Sequence, residues 1–216
     1  MGDYAGALAS SQRARLAEQE MRNPYARATI FANLSLHAHH TGDQEQALLY
    51  AAETIRLATE LAMPVMAAYG FEFRGHALLA LADAPAAAAA YQEALQMHEN
   101  GQQEAPAAEA RAGLARAALA VGNHVEALVW IEPIVESLQQ GTLTDAEEPL
   151  RVYWTACQVL RAAQDPRAAQ VLQQAAALLQ ARAAQISDLP SRHRYLTAVE
   201  AHRQIWQASR QRRITV

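Results

Sequence analysis

Lysine is absent from this 216-residue chain, so its 18 basic side chains are all arginine. Cysteine occurs once, at Cys157, which excludes an internal disulfide framework. Aromatic residues are scarce at 6%, although apolar residues reach 51%, and alanine supplies much of the difference. The 9 glycines and 8 prolines fall mostly between apolar periodic segments, which leaves those segments free to be helices. No charged segment followed by an apolar core opens the chain, so no secretory signal is visible. The apolar run from Ala84 to Ala90 is far too short to span a bilayer. These absences give the expectation of a cytoplasmic protein with no membrane partner. The net charge of −4, from 18 basic against 22 acidic residues, argues against a nucleic-acid surface spread over the chain. The one basic cluster, Arg203, Arg210, Arg212 and Arg213, reads as a solvated tail.

What is present is alanine at a fixed period. Alanine is the best helix former and has no side-chain entropy to lose. A short turn ending in alanine recurs: Gly2-Asp3 before Ala7, Gly42-Asp43 before Ala47, Ala82-Asp83 before Ala87, Gly122-Asn123 before Ala127, and Gln164-Asp165 before Ala169. The spacings of the closing alanines are 40, 40, 40 and 42 residues. Each turn has a physical reading. A Gly or small residue ends one helix, where a left-handed conformation is commonly needed. Asp or Asn then caps the next helix by accepting from its free N–H groups. Each turn therefore joins a helix A to a helix B.

Apolar positions on both helices follow an i, i+3, i+4, i+7 pattern. Phe31, Leu34 and Ala38 precede Ala47, Ala51 and Thr54. Phe71, Gly75 and Leu78 precede Ala87, Tyr91 and Ala94. Leu114, Ala115 and Ala118 precede Ala127, Ile131 and Ile134. Tyr153, Ala156, Cys157 and Leu160 precede Ala169, Gln173 and Ala176. Gly75, Ala115 and Cys157 mark where helix A and helix B approach most closely. Cys157 is thereby expected to be a buried structural thiol.

Phe71, Gly75, Leu78, Asp83, Ala87, Tyr91 and Ala94 together resemble the tetratricopeptide repeat, and the resemblance covers nearly the whole chain. The repeat is longer than the usual form. Its length is similar to repeats in the C-terminal arms of bacterial signalling ATPases, cyclases and transcription activators. The resemblance implies an all-α, right-handed α-solenoid of antiparallel helix pairs, a superhelix of tetratricopeptide type. It would form one domain over 1–216: a half repeat at 1–22, repeats at 23–62, 63–102, 103–143 and 144–186, and a C-terminal capping helix at 187–211. That helix is expected to run unbroken from its cap at Ser187 or Asp188, with Tyr195, Val199, His202 and Trp206 as its apolar stripe. Ser11, Ala51, Ile131 and Gln173 replace the aromatic usual at one helix B position. Thinner packing there predicts a more curved or more pliable stack. The half repeat has no helix A, so its apolar face needs a preceding segment of a longer protein or a second copy of the chain, a homodimer.

In such a solenoid the A helices line a concave wall. Projecting the repeat places Asn33, Leu36 and His40 there, then Tyr69, Glu72, Phe73 and His76, then Glu109, Arg116, Arg151, Trp154, Gln158 and Arg161. Aromatics and both charge signs on one wall suit a protein or peptide ligand lying in a groove. Peptide-binding members of the family hold a terminal carboxylate with Lys and Asn, and only Asn33 matches. Arg116, Arg151 and Arg161 retain the chemistry for a carboxylate or phosphate. His37, His39 and His40 lack the further ligands a structural zinc needs, so they read as exposed or capping histidines. Glu147-Glu148 and Glu18/Glu20 read as solvated charges. No phosphate loop, Ser-His-Asp set or paired-carboxylate site appears, and no cofactor or metal is expected. The leading expectation is a non-enzymatic interaction and scaffolding arm of a larger signalling or transcription-regulatory protein. The alternative is a small-molecule inducer sensor.

Overall fold

The computed structural model describes residues 2–21, 23–140 and 146–214. Eleven helices follow one another, with no strand among the described residues: α1 (Tyr4–Met21), α2 (Pro24–Thr41), α3 (Gln44–Glu60), α4 (Pro64–Ala80), α5 (Ala84–Asn100), α6 (Glu104–Ala120), α7 (His124–Gln140), α8 (Pro149–Ala162), α9 (Ala168–Ala184), α10 (Leu189–Thr197) and α11 (Glu200–Ile214). Each helix packs on its neighbour in the chain, and α2, α4, α6 and α8 also pack side by side. The result is an α-solenoid with those four helices on its inner side.

The turns explain the regularity. A left-handed residue recurs every 20 positions at Gly42, Ala62, Ala82, Gln102 and Gly122, with φ between 53° and 90°. The next residue's N–H bonds back to close the helix end, as Asp43 to the Ala38 carbonyl at 3.0 Å and Met63 to that of Ala58 at 2.8 Å. Asp43 and Asp83 then cap the following helix, accepting from the Gln46 and Ala86 amides. The turns from B to A thus use the same device as the turns from A to B. The 40-residue sequence period is two structural units of 20.

The expected close-approach points lie in the core. Ser35 and Cys157 are fully buried, and both donate across the A–B contact, to the Ala47 and Ala168 carbonyls at 2.9 and 3.7 Å. Gly75 and Gly113 grip the fully buried Tyr91 ring from α4 and α6. A Cβ on either would lie 2.6 or 2.4 Å from that ring, closer than carbon atoms allow. Leu114 is buried but Leu78 only half so.

The C-terminal cap differs from expectation. Asp188 does cap it, accepting from the Ser191 amide at 2.8 Å, but the segment breaks at Ala198-Val199 into α10 and α11. His202 Nδ1 lies 2.8 Å from the Tyr195 carbonyl, a partner for a group exposed at the break. The repeat boundary at 143/144 and the end of the half repeat at residue 22 lie outside the described residues, as do the side chains of Glu18, Glu20, Arg212 and Arg213.

The solenoid curves until its ends meet. Gly2 sits against the Arg194 carbonyl and Ala198, and Asp3 lies 3.8 Å from Arg194. Tyr4 stacks on His40 with ring centroids 4.0 Å apart. The tip of α1 is thus covered by the α10–α11 corner, while Leu16 remains exposed. No described helix is long and apolar enough to cross a membrane.

Candidate functional site

Curvature turns the inner wall into an interior. The first turn of α11 and the tip of α1 border this wall and narrow the groove expected from the repeat. Two chambers remain. One, of about 310 Å³, is lined by His39 and His40 (α2), His76 and Leu79 (α4), Arg116 (α6), Arg151, Trp154, Thr155 and Gln158 (α8), and the first residues of α11. The other, of about 290 Å³, lies beside Tyr4, His37, Arg182, Tyr195 and His202. Glu148 and Arg151 border both.

Of the residues placed on the wall from sequence, His40, His76, Arg116, Arg151, Trp154 and Gln158 do converge on one chamber. Glu72 and Glu109 sit beneath it, around a void of about 10 Å³ shared with His76, Arg116 and Arg151. Tyr69 and Phe73 pack instead on one another and on His98 and His76. Leu36 is half-buried. Asn33 and Arg161 do not line this chamber: both side chains are exposed, and the Arg161 guanidinium lies 5.7 Å from the centre of the Trp154 ring.

Glu148 is a correction. It is no solvated charge: it stands at the start of α8 with its carboxylate 2.5 Å from Arg151 Nη1 and 3.6 Å from His40 Nε2. Burial alone would raise its pKa, but Arg151 and then His40 override this and hold the carboxyl at about 2. Burial likewise opposes the Arg151 charge, yet Glu148 keeps that guanidinium above its ordinary value. The Glu148 amide donates to Glu109 Oε1 at 2.8 Å. Burial, followed by the nearby Glu72, pushes Glu109 well above the usual carboxylate range.

The histidines are interior groups as well. His39 and His40 are half-buried, and burial lowers both to about 4. His76 is buried and lowered well below its ordinary value by the same cause, and its Nδ1 lies 2.7 Å from the Tyr91 hydroxyl. No group of three His, Cys, Asp or Glu among the described residues is arranged to hold a metal ion.

Sequence reasoning missed the interior placement of Glu148 and His39, the contact of Gly113 with Tyr91 and the first turn of α11. His39 carried a signal, since it lies one residue before a wall position at a helix end. Glu148 carried none, because its partners are distant in the chain.

Comparison with known proteins agrees with this architecture. No family model and no curated protein matches the chain. Among solved structures it is similar to the crystal structure of BtubC (BKLC) from P. vanneervenii, with a TM-score of 0.63 and 16% identity over 96% of this chain and 92% of that one. The chain is an all-α helical-repeat solenoid. At that identity the likeness concerns the fold alone.

Proposed function

We propose that this solenoid, of tetratricopeptide type, is a non-catalytic recognition module that holds a small molecule inside its curl. One observation carries the reading: the inner helices face a recess of about 310 Å³ that the first turn of α11 borders. A volume of that order, with an aromatic wall and a few convergent polar groups, suits a small organic ligand. It does not suit a peptide crossing several repeats. Thermal denaturation against a metabolite collection tests it. A ligand should raise stability by RT ln(1 + [L]/Kd), about 2.7 kcal/mol at a hundredfold excess over Kd. Gln158→Trp, which fills the chamber from α8, should abolish the rise. A ligand that stabilises this variant as well as the parent would place binding elsewhere.

A second reading, the protein-interaction arm of a larger signalling or regulatory protein, has its own support. Leu81, Val121, Val125 and Val129 are exposed apolar residues along the α4–α5 turn, the α6–α7 turn and α7. Val125 and Val129 lie one helical turn apart on the same face. Capture of a partner that is lost in Val125→Glu/Val129→Glu, with metabolite binding intact, would favour this reading.

A further inference from the structure

The charges around the larger chamber do not cancel, and the remainder identifies the ligand. Arg151 is spent on Glu148 at 2.5 Å. Glu200, the other carboxylate on the chamber wall, is held by Arg203 and by Gln204. Arg116 is left over. Its Nη1 donates to the Thr155 hydroxyl at 3.1 Å, its guanidinium also bonds the Tyr91 side chain, its buried Nε finds no hydrogen-bond partner, and among the described residues no carboxylate forms an ion pair with it. Glu72 and Glu109 reach Arg116 only through the small void below and do not line the chamber. The first turn of α11 lines the chamber, so the positive end of that helix dipole adds to the Arg116 field. Beside these stands Trp154, whose Nε1 also lacks a partner among the described residues, with Leu79 completing the apolar side.

We infer that the larger chamber is a monocarboxylate site, in which a small molecule sets its anionic head on Arg116 and a flat apolar body against Trp154. The inference rests on the interior-ligand reading above and gives its chemistry. The Arg116 guanidinium borders the chamber, and arginine is the side chain whose N–H groups best match a carboxylate. Beyond the Arg151–Glu148 and Arg203–Glu200 pairs, Arg116 lines the chamber without an ion-pair partner among the described residues, which matches a single negative charge. A phosphate dianion would bring a second charge with nothing to neutralise it.

Calorimetric titration of the full chain with three near-isosteric probes, phenylacetate, phenylacetamide and phenethylamine, tests the charge. Phenylacetate should bind at least tenfold more tightly than the amide, and the amine should bind weakest. Arg116→Gln should erase the preference for acid over amide. Should that variant fold poorly by circular dichroism, Gln158→Glu serves instead. It adds a carboxylate to the chamber lining, on α8 one turn from Thr155, and should reverse the order of acid and amine. Equal binding of acid and amide to the parent, or an amine that binds best, would overturn the monocarboxylate assignment and leave the interior-ligand reading standing. Acid binding unchanged in both variants would also overturn it, since the head would then lie elsewhere. A short peptide with a free C-terminus that outcompetes phenylacetate would move the site from a small molecule to a chain end. No binding by any probe, together with an empty metabolite screen, would remove both readings.

Discussion

The stretch from α2 to α7 and the stretch from α8 onward obey different rules. In the first, helices of 17 or 18 residues alternate with short turns, and a left-handed residue recurs every 20 positions. In the second, the helices run 14, 17, 9 and 15 residues. The regular stretch builds a wall from alanine and glycine contacts that depend only on near neighbours. The irregular stretch fills what the wall encloses: Glu148 enters from the start of α8, and the break before α11 turns that helix into the mouth. Repetition supplies stability here, and departure from repetition supplies the site.

The largest effect that would sharpen this contrast is in the wall. Tyr91→Ala removes a fully buried ring gripped by Gly75 and Gly113 and should cost about 3–5 kcal/mol. Hydrogen exchange should show the loss in α4, α5 and α6 first, because a repeat array passes damage to adjacent units. Equal deprotection in α8 and α9 would mean that the two stretches unfold as one. Leu114→Ala should cost about 2–5 kcal/mol. Leu78→Ala should cost clearly less because Leu78 is only half-buried, and chemical denaturation of the pair would check this.

The interior predicts acid sensitivity. His39 and His40 are held at about 4 by burial, against an ordinary value of about 6.5. Between those values the unfolded chain binds more protons than the folded one, so stability falls as pH drops from about 6.5 to about 4. Glu148, held at about 2, extends the loss below the ordinary carboxylate range. Glu109 works the other way: its raised pKa contributes stability that is present in acid and lost as pH rises. Midpoint temperatures across this window should fall steadily, and His39→Gln/His40→Gln should flatten the slope between about 6.5 and 4. A parent whose midpoint is flat across that range would contradict the burial of these rings.

Single changes in the acid group come next. Glu148→Gln breaks the contacts to Arg151 and His40 and should cost roughly 1.5–3 kcal/mol, the range for hydrogen bonds to charged groups. Glu109→Gln should be the mildest, near neutral or slightly stabilising at neutral pH. The amide keeps an acceptor for the Glu148 N–H and removes an acid that burial disfavours. A loss above about 2 kcal/mol in this variant would show that Glu109 is ionised and paired.

The same division decided what was readable in the amino-acid string. The alanines at 47, 87, 127 and 169, with Asp or Asn at the caps, report local contacts, so the solenoid was legible before any coordinates. Arg116, Arg151 and Trp154 were legible as members of one wall, because helical periodicity places them without knowing the curvature. Asn33 and Arg161 share the wall's spacing but do not line the chamber, because curvature decides which wall positions surround it. Glu148 failed because two adjacent glutamates look solvated until a distant arginine and histidine arrive. The break before α11 failed because Tyr195, Val199 and His202 keep a helical spacing through it, and neither Gly nor Pro marks the site.

The meeting of Gly2 and Asp3 with Arg194 and Ala198 changes how such an array comes apart. A linear stack frays from its two outermost units, each with a neighbour on one side only. Here each terminus leans on the other, so peeling α1 away uncovers the α10–α11 corner as well. Tension applied between the termini should therefore meet its first resistance at that seam, before any hairpin opens.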